Sequence, residues 1–536
     1  MRHSRKPHAQ SLLITRRHVL QGIAATGSAF ALSSCSWSPR ESGILRFRDD
    51  PFSLGVASGY PLSNAVVLWT RLAPEPLAPD GGMSPGTSPT IVPVTWEIAE
   101  DEHFRKTVRK GVAPAEPAWG HSVHVEVDGL KPARDYWYRF TAGDARSATG
   151  RTRTTPAPGT LVDHVRIAVA SCQEYEHGYY TAYQQMIRDD PDLVIHVGDY
   201  IYELGWGKDL VRSHASGECL SLGDYRARHA LYRSDADLAR AHAAAPWLVT
   251  WDDHDVDNDY AGSVSEQGDP AEVFLARRAA AYQAFYEHMP MPKRAAPTAT
   301  GMQLYMSRSY GDLLNLYMLD GRQYRSERAC ADQGRQRKKR SRAEWCPDFN
   351  DADRTMLGAE QEKWLAGGLR QSTARWNVLG QAIVMSYTTE EARPARLHWI
   401  DGWSGYPVAQ ARIARELHDS RVSNPVVFSG DVHAFMAADL HLQPDDSESP
   451  RVAGELVTTS ITSEPPPESV LESHLRHNPN VHFATGLARG YVRIDVSPTL
   501  LRGDFIAMDT ITQPTSDSRV LASFVQEAGI SGLKRA

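Results

Sequence analysis

Four short apolar runs each end in side chains that bind cations, and this repetition constrains the chain more than any other feature. They are Ala168-Val169-Ala170-Ser171-Cys172, Ile195-His196-Val197-Gly198-Asp199-Tyr200-Ile201-Tyr202, Leu248-Val249-Thr250-Trp251-Asp252-Asp253-His254-Asp255 and Val427-Phe428-Ser429-Gly430-Asp431-Val432-His433. Each reads as a buried strand that delivers polar groups at its carboxyl end. Carboxylates, a thiolate, a phenolate and imidazoles gathered there assemble charge that a metal must neutralise. Singly, each residue has a plainer reading: Cys172 as a small buried hydrophobe, Tyr202 as packing, His433 as a hydrogen-bonded core imidazole. Jointly those readings fail, because Asp199, Asp252, Asp253 and Asp431 would repel one another if buried without a cation.

The surrounding pattern supplies a frame for such strands. From His164 onward, apolar runs alternate with polar helical stretches at 224–244 and 270–288, the rhythm of a layered α/β domain. Further strands are expected to end near Asp320 and Gln381, and a late hairpin at 491–496 and 501–505. Ligands of such sheets collect outside the strand carboxyl ends, where all four polar clusters fall. Ahead of this domain, residues 48–150 read as an all-β sandwich, with strand-like runs such as Ala65-Val66-Val67-Leu68-Trp69 between Pro/Gly turns. Leu130-Lys131-Pro132-Ala133-Arg134-Asp135-Tyr136-Trp137-Tyr138 resembles the tyrosine corner of fibronectin type III domains. The Thr/Pro/Gly-rich stretch 147–160 reads as a linker, and the catalytic domain is expected over 161–510.

Residues 1–35 read as an address and are set apart from the fold. Thr15-Arg16-Arg17-His18-Val19-Leu20, before an apolar stretch too short to span a bilayer, resembles the twin-arginine signal of proteins exported after folding. The twin-arginine translocation machinery is therefore an expected partner, and the location an exported one, periplasmic, at the cell envelope or extracellular. Leu32-Ser33-Ser34-Cys35 resembles a lipobox, which makes Cys35 a candidate lipid anchor. Without Cys35 an even number of cysteines remains, and a Cys330–Cys346 disulfide would close a basic loop and contribute about 3 kcal/mol in the loop-entropy model. Cys219 would then be unpaired. The net charge of −7 gives no global attraction to nucleic acid, and no nucleic-acid-binding role is expected.

Gly198-Asp199 followed by Asp253-His254 resembles the second and third blocks of the calcineurin-like metallophosphoesterases. Cys172 stands where the first Asp of that pattern usually sits, Asp253 replaces the Asn, and Gly430-Asp431-Val432-His433 replaces the closing Gly-His-x-His. With Tyr202 three residues after Asp199, these departures resemble the PhoD-type alkaline phosphatase family. Phe52-Ser53-Leu54-Gly55-Val56-Ala57-Ser58-Gly59, Leu319-Asp320-Gly321-Arg322-Gln323-Tyr324-Arg325 and Asp401-Gly402-Trp403-Ser404-Gly405-Tyr406-Pro407 extend the resemblance over most of the chain.

The resemblance implies a layered metallophosphoesterase-like α/β catalytic domain after a fibronectin type III-like sandwich, and a site holding Fe³⁺ with Ca²⁺. A phenolate and a thiolate suit ferric iron, and oxygen-only positions suit calcium. Cys172, Tyr202 and Asp199 are accordingly assigned to iron, Asp199 also as a bridge, and Asp253, Asp431 and His433 to the remaining metal positions. Asp252 could exchange roles with Asp253, and Asn258 could supply a calcium oxygen. His254 is placed to contact phosphoryl oxygens or protonate the leaving alkoxide. Arg322 is either a bidentate phosphate clamp or a structural ion-pair partner. Tyr175, Tyr179, Tyr180, Trp399 and Trp403 read as packing or a pocket rim. The expected activity is hydrolysis of small organic phosphate monoesters at alkaline pH through a metal-activated water or bridging oxide. A phosphodiesterase or phospholipase D-like hydrolase is the alternative of the same chemistry, and a noncatalytic exported phosphate- or metal-binding protein that of another class.

Overall fold

The structure, a computed structural model, describes residues 45–78, 82–83, 90–330, 339–392 and 396–536. The expected export signal, Cys35 and most of the basic loop inside the Cys330–Cys346 pair lie outside the described residues. The cysteines themselves are bonded, with Cα atoms 5.1 Å apart, and Cys219 is free and buried.

Two mixed sheets, of ten and seven strands, share one buried core. At the centre of the first, Val165–Ala170, Leu193–Val197 and Pro246–Thr250 run parallel. In the second, Leu314–Met318, Trp376–Gly380, Pro425–Ser429 and Arg451–Val457 run parallel. Val169, Leu193 and Trp247 from one sheet join Leu316, Val378 and Phe428 from the other in a single apolar cluster. Each of those side chains leaves water almost completely, at roughly 1.5–3 kcal/mol for a fully buried aliphatic or phenyl group. The expected helix over 224–244 is two helices, Leu222–Arg233 and Ala236–Ala244. Asp235 makes the break, because its carboxylate accepts the Asp237 and Leu238 N–H groups and caps a new helix.

The β-rich N-terminal segment is a sandwich, but its two sheets have different allegiances. Thr107–Ala115, Val92–Ala99 and Asp135–Ala142 form a separate sheet. Val56–Gly59, Val66–Arg71 and Ser122–Val127 instead extend the ten-stranded sheet, Val56–Gly59 lying parallel to Pro246–Thr250. Val66, Leu68, Val123 and Val125 then pack on Val94, Ile98, Tyr136 and Phe140. The tyrosine corner is present: the Tyr136 hydroxyl accepts the Lys131 N–H at 2.8 Å. Part of the expected linker is a strand, Gly150–Arg153, paired with Asp135–Ala142. Its alternating Arg-Thr pattern buries Thr152, a β-branched polar residue that reads as linker until its partner is known. The sheet also continues beyond 510, through Ser518–Glu527 on Leu500–Met508. Among the described residues, no helix is long and apolar enough to cross a membrane.

Several histidines are locked in this interior without charge. Burial pushes His124 down to about 4, and His196 and His229 down to about 3. In the unfolded chain each binds its proton below pH 6.5, so the unfolded state takes up more protons there and stability falls with pH. Each group contributes up to about 1.4 kcal/mol of loss per pH unit, from pH 6.5 down to its folded value. Urea-unfolding midpoints should therefore drop steeply between pH 6.5 and 4, and His124→Phe should flatten that drop. An unchanged slope in His124→Phe would mean that His124 already titrates freely in the folded protein.

Candidate metal centre

All the candidate ligands stand on loops that leave the carboxyl ends of four buried strands. Cys172 follows Val165–Ala170, Asp199 and Tyr202 follow Leu193–Val197, Asp252 to His254 follow Pro246–Thr250, and Asp431 and His433 follow Pro425–Ser429. Cys172, Asp199, Asp431 and His433 all adopt left-handed backbone, with φ of 57°, 53°, 67° and 53°. That conformation is sparsely populated by non-glycine residues and persists only where its surroundings enforce it. Here the enforcement is visible. The Asp255 carboxylate accepts the backbone N–H groups of Asp199 (2.9 Å), Tyr200 (3.1 Å) and Asp252 (3.0 Å), fastening two ligand loops together. Cys172 N–H donates to Gly198 carbonyl at 3.2 Å.

Gly198 permits the closest approach. Its φ is +113°, and a Cβ added there would stand 2.6 Å from Asp252 Cβ and 2.7 Å from Asp252 N. Gly198→Ala should impose about 1–3 kcal/mol of backbone strain and also push the Asp199 loop off the Asp252 loop. A lower melting temperature together with lower metal content per chain is the expected result. Full metal content at unchanged stability would show that the loops tolerate separation.

Two groups of donors result, linked by a third that shares Asp199 with one and Asp253 with the other. Donor atoms of Cys172, Asp199 and His433 lie within 4.8 Å of one another, as do those of Asp252, Asp253 and Asp431, and those of Asp199, Asp253 and His254. Tyr202 joins the first group: its hydroxyl is 2.9 Å from Asp199 Oδ2 and 3.1 Å from His433 Nε2. His433 therefore sits with the thiol and the phenol, whereas the sequence assignment had put it with Asp253 and Asp431. The reason is local. His433 Nδ1 lies 2.6 Å from the Glu464 carbonyl, which can only accept, so Nδ1 carries the proton and Nε2 presents its lone pair toward Tyr202 and Asp199. Asp252 joins Asp253 and Asp431. Asn258 turns away, its amide donating to Glu266 at 2.8 Å.

The donor set fits metal ions. Asp199 Oδ1, Asp252 Oδ2 and Asp253 Oδ1 are buried carboxylate oxygens without a hydrogen-bond partner among the described residues. Burial, reinforced by Asp199, pushes the Cys172 thiol and the Tyr202 phenol up, and burial pushes up Asp252 and Asp431, against the pull of Arg322. So dense a group of acids becomes fully ionised only against added positive charge, which bound cations supply.

Arg322 is entirely buried and lies behind this wall of carboxylates. It is paired with Asp252 through Nε and with Asp401 through Nη1 at 2.7 Å, while Nη2 stands 3.4 Å from Asp253 and 3.8 Å from Asp431. Of the two roles open to Arg322, this geometry favours the ion-pair partner, because no face of the guanidinium reaches solvent. Burial opposes the charge of Asp401, yet Arg322 and Arg325 keep its carboxyl below the usual carboxylate range.

His254 adjoins the site through Asp199 and Asp253. Its Nδ1 is 2.8 Å from Glu203 Oε2, and its ring lies 4.4 Å from that of Tyr202 and stacks 5.4 Å from that of Trp206. Burial works against its charge, but Glu203 and then Asp253 keep His254 protonated well above the ordinary histidine range. Glu203, Asp255, Asp401 and Ser463 had no role in the sequence reading. Ser463 Oγ lies 2.8 Å from both the Tyr202 hydroxyl and the Cys172 carbonyl. Asp255 closes the third polar cluster and Asp401 opens one of the blocks that carry the resemblance, whereas Glu203 and Ser463 lie in no singled-out motif.

Comparison with known proteins supplies an independent line. Residues 167–505 match the PhoD-like phosphatase family, and residues 36–156 match the PhoD-like phosphatase N-terminal domain. Alkaline phosphatase D of Bacillus subtilis (strain 168) is 44% identical over 537 aligned residues, covering 98% of this chain and 90% of the relative. The solved structure of PhoD superposes with a TM-score of 0.86 at 45% identity, covering 92% of this chain and 93% of that one. Purple acid phosphatase PPD1 from yellow lupin seeds shares the fold alone, with a TM-score of 0.56 at 13% identity over 89% of this chain and 74% of its own.

Proposed function

The chain belongs to the PhoD-like phosphatase family, and from that premise we propose an exported, metal-dependent alkaline phosphatase that releases inorganic phosphate from small organic phosphate monoesters. The reading as a noncatalytic binding protein gives way to an enzyme. The observation that carries the proposal is the convergence of Cys172, Tyr202, Asp199 and His433 beside the carboxylate group Asp252, Asp253 and Asp431. We assign Fe³⁺ to the first group and Ca²⁺ to the second, with Asp199 between them, because thiolate, phenolate and imidazole suit ferric iron and carboxylate oxygens suit calcium. When bound, such ions polarise the phosphoryl group and neutralise charge that develops on its oxygens.

The protein's own groups do the rest. Arg322 holds Asp252 toward the second group from behind, a positioning role. Asp255 fixes the relative placement of the Asp199 and Asp252 loops. Glu203 takes His254 Nδ1, which leaves Nε2 to donate to a phosphoryl oxygen or to the departing alkoxide. Trp206 stacks on the imidazole and limits its rotation. Export is supported by the Arg16-Arg17 pair before a short apolar stretch, which suits a protein loaded with metal before translocation. The proposed division of labour is a sandwich over 48–150 and a catalytic domain over 161–510, the sandwich lengthened by Gly150–Arg153 and the ten-stranded sheet by Ser518–Glu527, with strands of the first completing the sheet of the second.

The direct test is hydrolysis of p-nitrophenyl phosphate against bis-p-nitrophenyl phosphate at alkaline pH, with metal content measured by mass spectrometry on the same sample and calcium removed, then restored. Monoester-dominant, calcium-restorable turnover in an iron-containing protein is expected. Diester-dominant turnover would replace the monoesterase with a phosphodiesterase.

A further inference from the structure

Beside the metal centre lies a pocket whose chemistry is the opposite of the centre's own. The space in it that a water-sized sphere's centre can occupy is about 40 Å³, a narrow slot rather than a broad cavity. Ile383, Leu397, Trp399, Trp403, Met436 and Leu471 contribute apolar surface, and Asp431 belongs to both the pocket wall and the carboxylate group. The Trp403 indole N–H is already engaged by Gln381 Oε1 at 3.2 Å, so its ring presents mainly apolar surface. Glu390 at the margin is paired with Arg340 at 2.6 Å, and burial pushes the His474 imidazole down, toward its uncharged form. Among the described residues, the lining contains neither lysine nor arginine. Arg340, whose Cζ lies 5.9 Å from the Trp399 ring centroid, is already neutralised by Glu390, so an uncharged hydrocarbon matches these walls better than a second anionic group.

Resting on the phosphatase reading above, we infer that this pocket is the leaving-group subsite, and that it selects phosphate esters whose alcohol portion is an apolar, unbranched alkyl chain. With the phosphoryl group at the metal centre, the ester oxygen lies on the Asp431 side and the chain runs between Trp399 and Trp403. Apolar area removed from water then raises kcat/KM, because the chain is held in the transition state as well as in the ground state.

The test is a series of n-alkyl phosphates from ethyl to hexyl. These share nearly the same leaving-group basicity and differ in apolar length alone, so they separate burial from chemistry. The expected result is a kcat/KM at least about tenfold higher for hexyl than for ethyl phosphate, carried mainly by KM. Gly402 gives a way to close the pocket from inside. Its backbone lies in a region open to any residue (φ −79°, ψ 178°), and an added Cβ meets nothing nearer than Ile383 Cγ2 at 3.7 Å. In Gly402→Leu the hexyl-to-ethyl ratio should fall toward one. Trp399→Ala, at a partly exposed position, should lower the ratio by removing one wall, and serves if Gly402→Leu does not fold. Equal turnover of the two esters by the unmodified protein, or an unchanged ratio in both variants, would overturn the subsite. Absence of turnover on every ester would instead overturn the phosphatase reading on which it rests.

Discussion

Asp199→Ala should lower turnover of p-nitrophenyl phosphate by well over the roughly 100-fold that loss of an outer partner of a metal ligand costs, and both metals should leave together. Asp199 is the residue common to the Cys172–His433 group and the Asp253–His254 group, so its removal takes a ligand from each. The control is Asp253→Ala, which touches only the second group and should lose calcium while keeping iron. Visible absorption separates the cases further. If Tyr202 binds ferric iron, phenolate-to-metal charge transfer colours the protein, Asp253→Ala stays coloured, and Asp199→Ala and Tyr202→Phe do not. An Asp199→Ala protein that retains its iron and its colour would sink the bridging assignment. A colourless, iron-loaded parent protein would sink that of Tyr202.

These expectations rest on residues that are legible in the sequence alone, and the reason is physical. A strand buried on both faces shows as an uninterrupted apolar run, and a polar cluster at its end stands out because burying such groups is costly. That pattern picks out the four clusters, the PhoD-type resemblance selects Cys172, Asp199, Tyr202, Asp253, Asp431 and His433 within them, and the structure brings their strand ends together. The placement of His433 beside Cys172 and Tyr202 was not legible, because it depends on the Glu464 carbonyl, 31 positions away in sequence, that fixes the tautomer. Nor was the role of Arg322, since charge pairs are set by which strands become neighbours. Left-handed backbone at four non-glycine ligands has no sequence signature at all. The sandwich was visible in its alternating runs, but the merging of Val56–Gly59 with the catalytic sheet was not, because a parallel partner 188 positions downstream leaves no mark on local pattern (Ser58 pairs with Pro246, and Gly59 with Trp247).

The shape of the His254 site leads to the second large effect. His254→Gln should lower kcat on an alkyl phosphate by about 10²–10⁴-fold, the range of general acid catalysis, and lower it much less on p-nitrophenyl phosphate. An alkoxide is a poor leaving group that needs a proton as the P–O bond breaks, whereas p-nitrophenolate departs as the anion. Protonation of His254 depends on Glu203, which holds Nδ1 at 2.8 Å and, together with Asp253 and Asp199, overcomes the burial penalty. Glu203→Gln should therefore reproduce the same leaving-group dependence in weaker form, about 10–100-fold on the alkyl ester, although Glu203 itself touches no substrate. The contrast between substrates is what identifies the role. A group that only neutralises a phosphoryl oxygen acts before the leaving group matters, so equal losses on both esters would reassign His254 to phosphoryl binding. Losses on neither would return it to the stacked cluster with Tyr202 and Trp206, a packing residue beside a site that works without it.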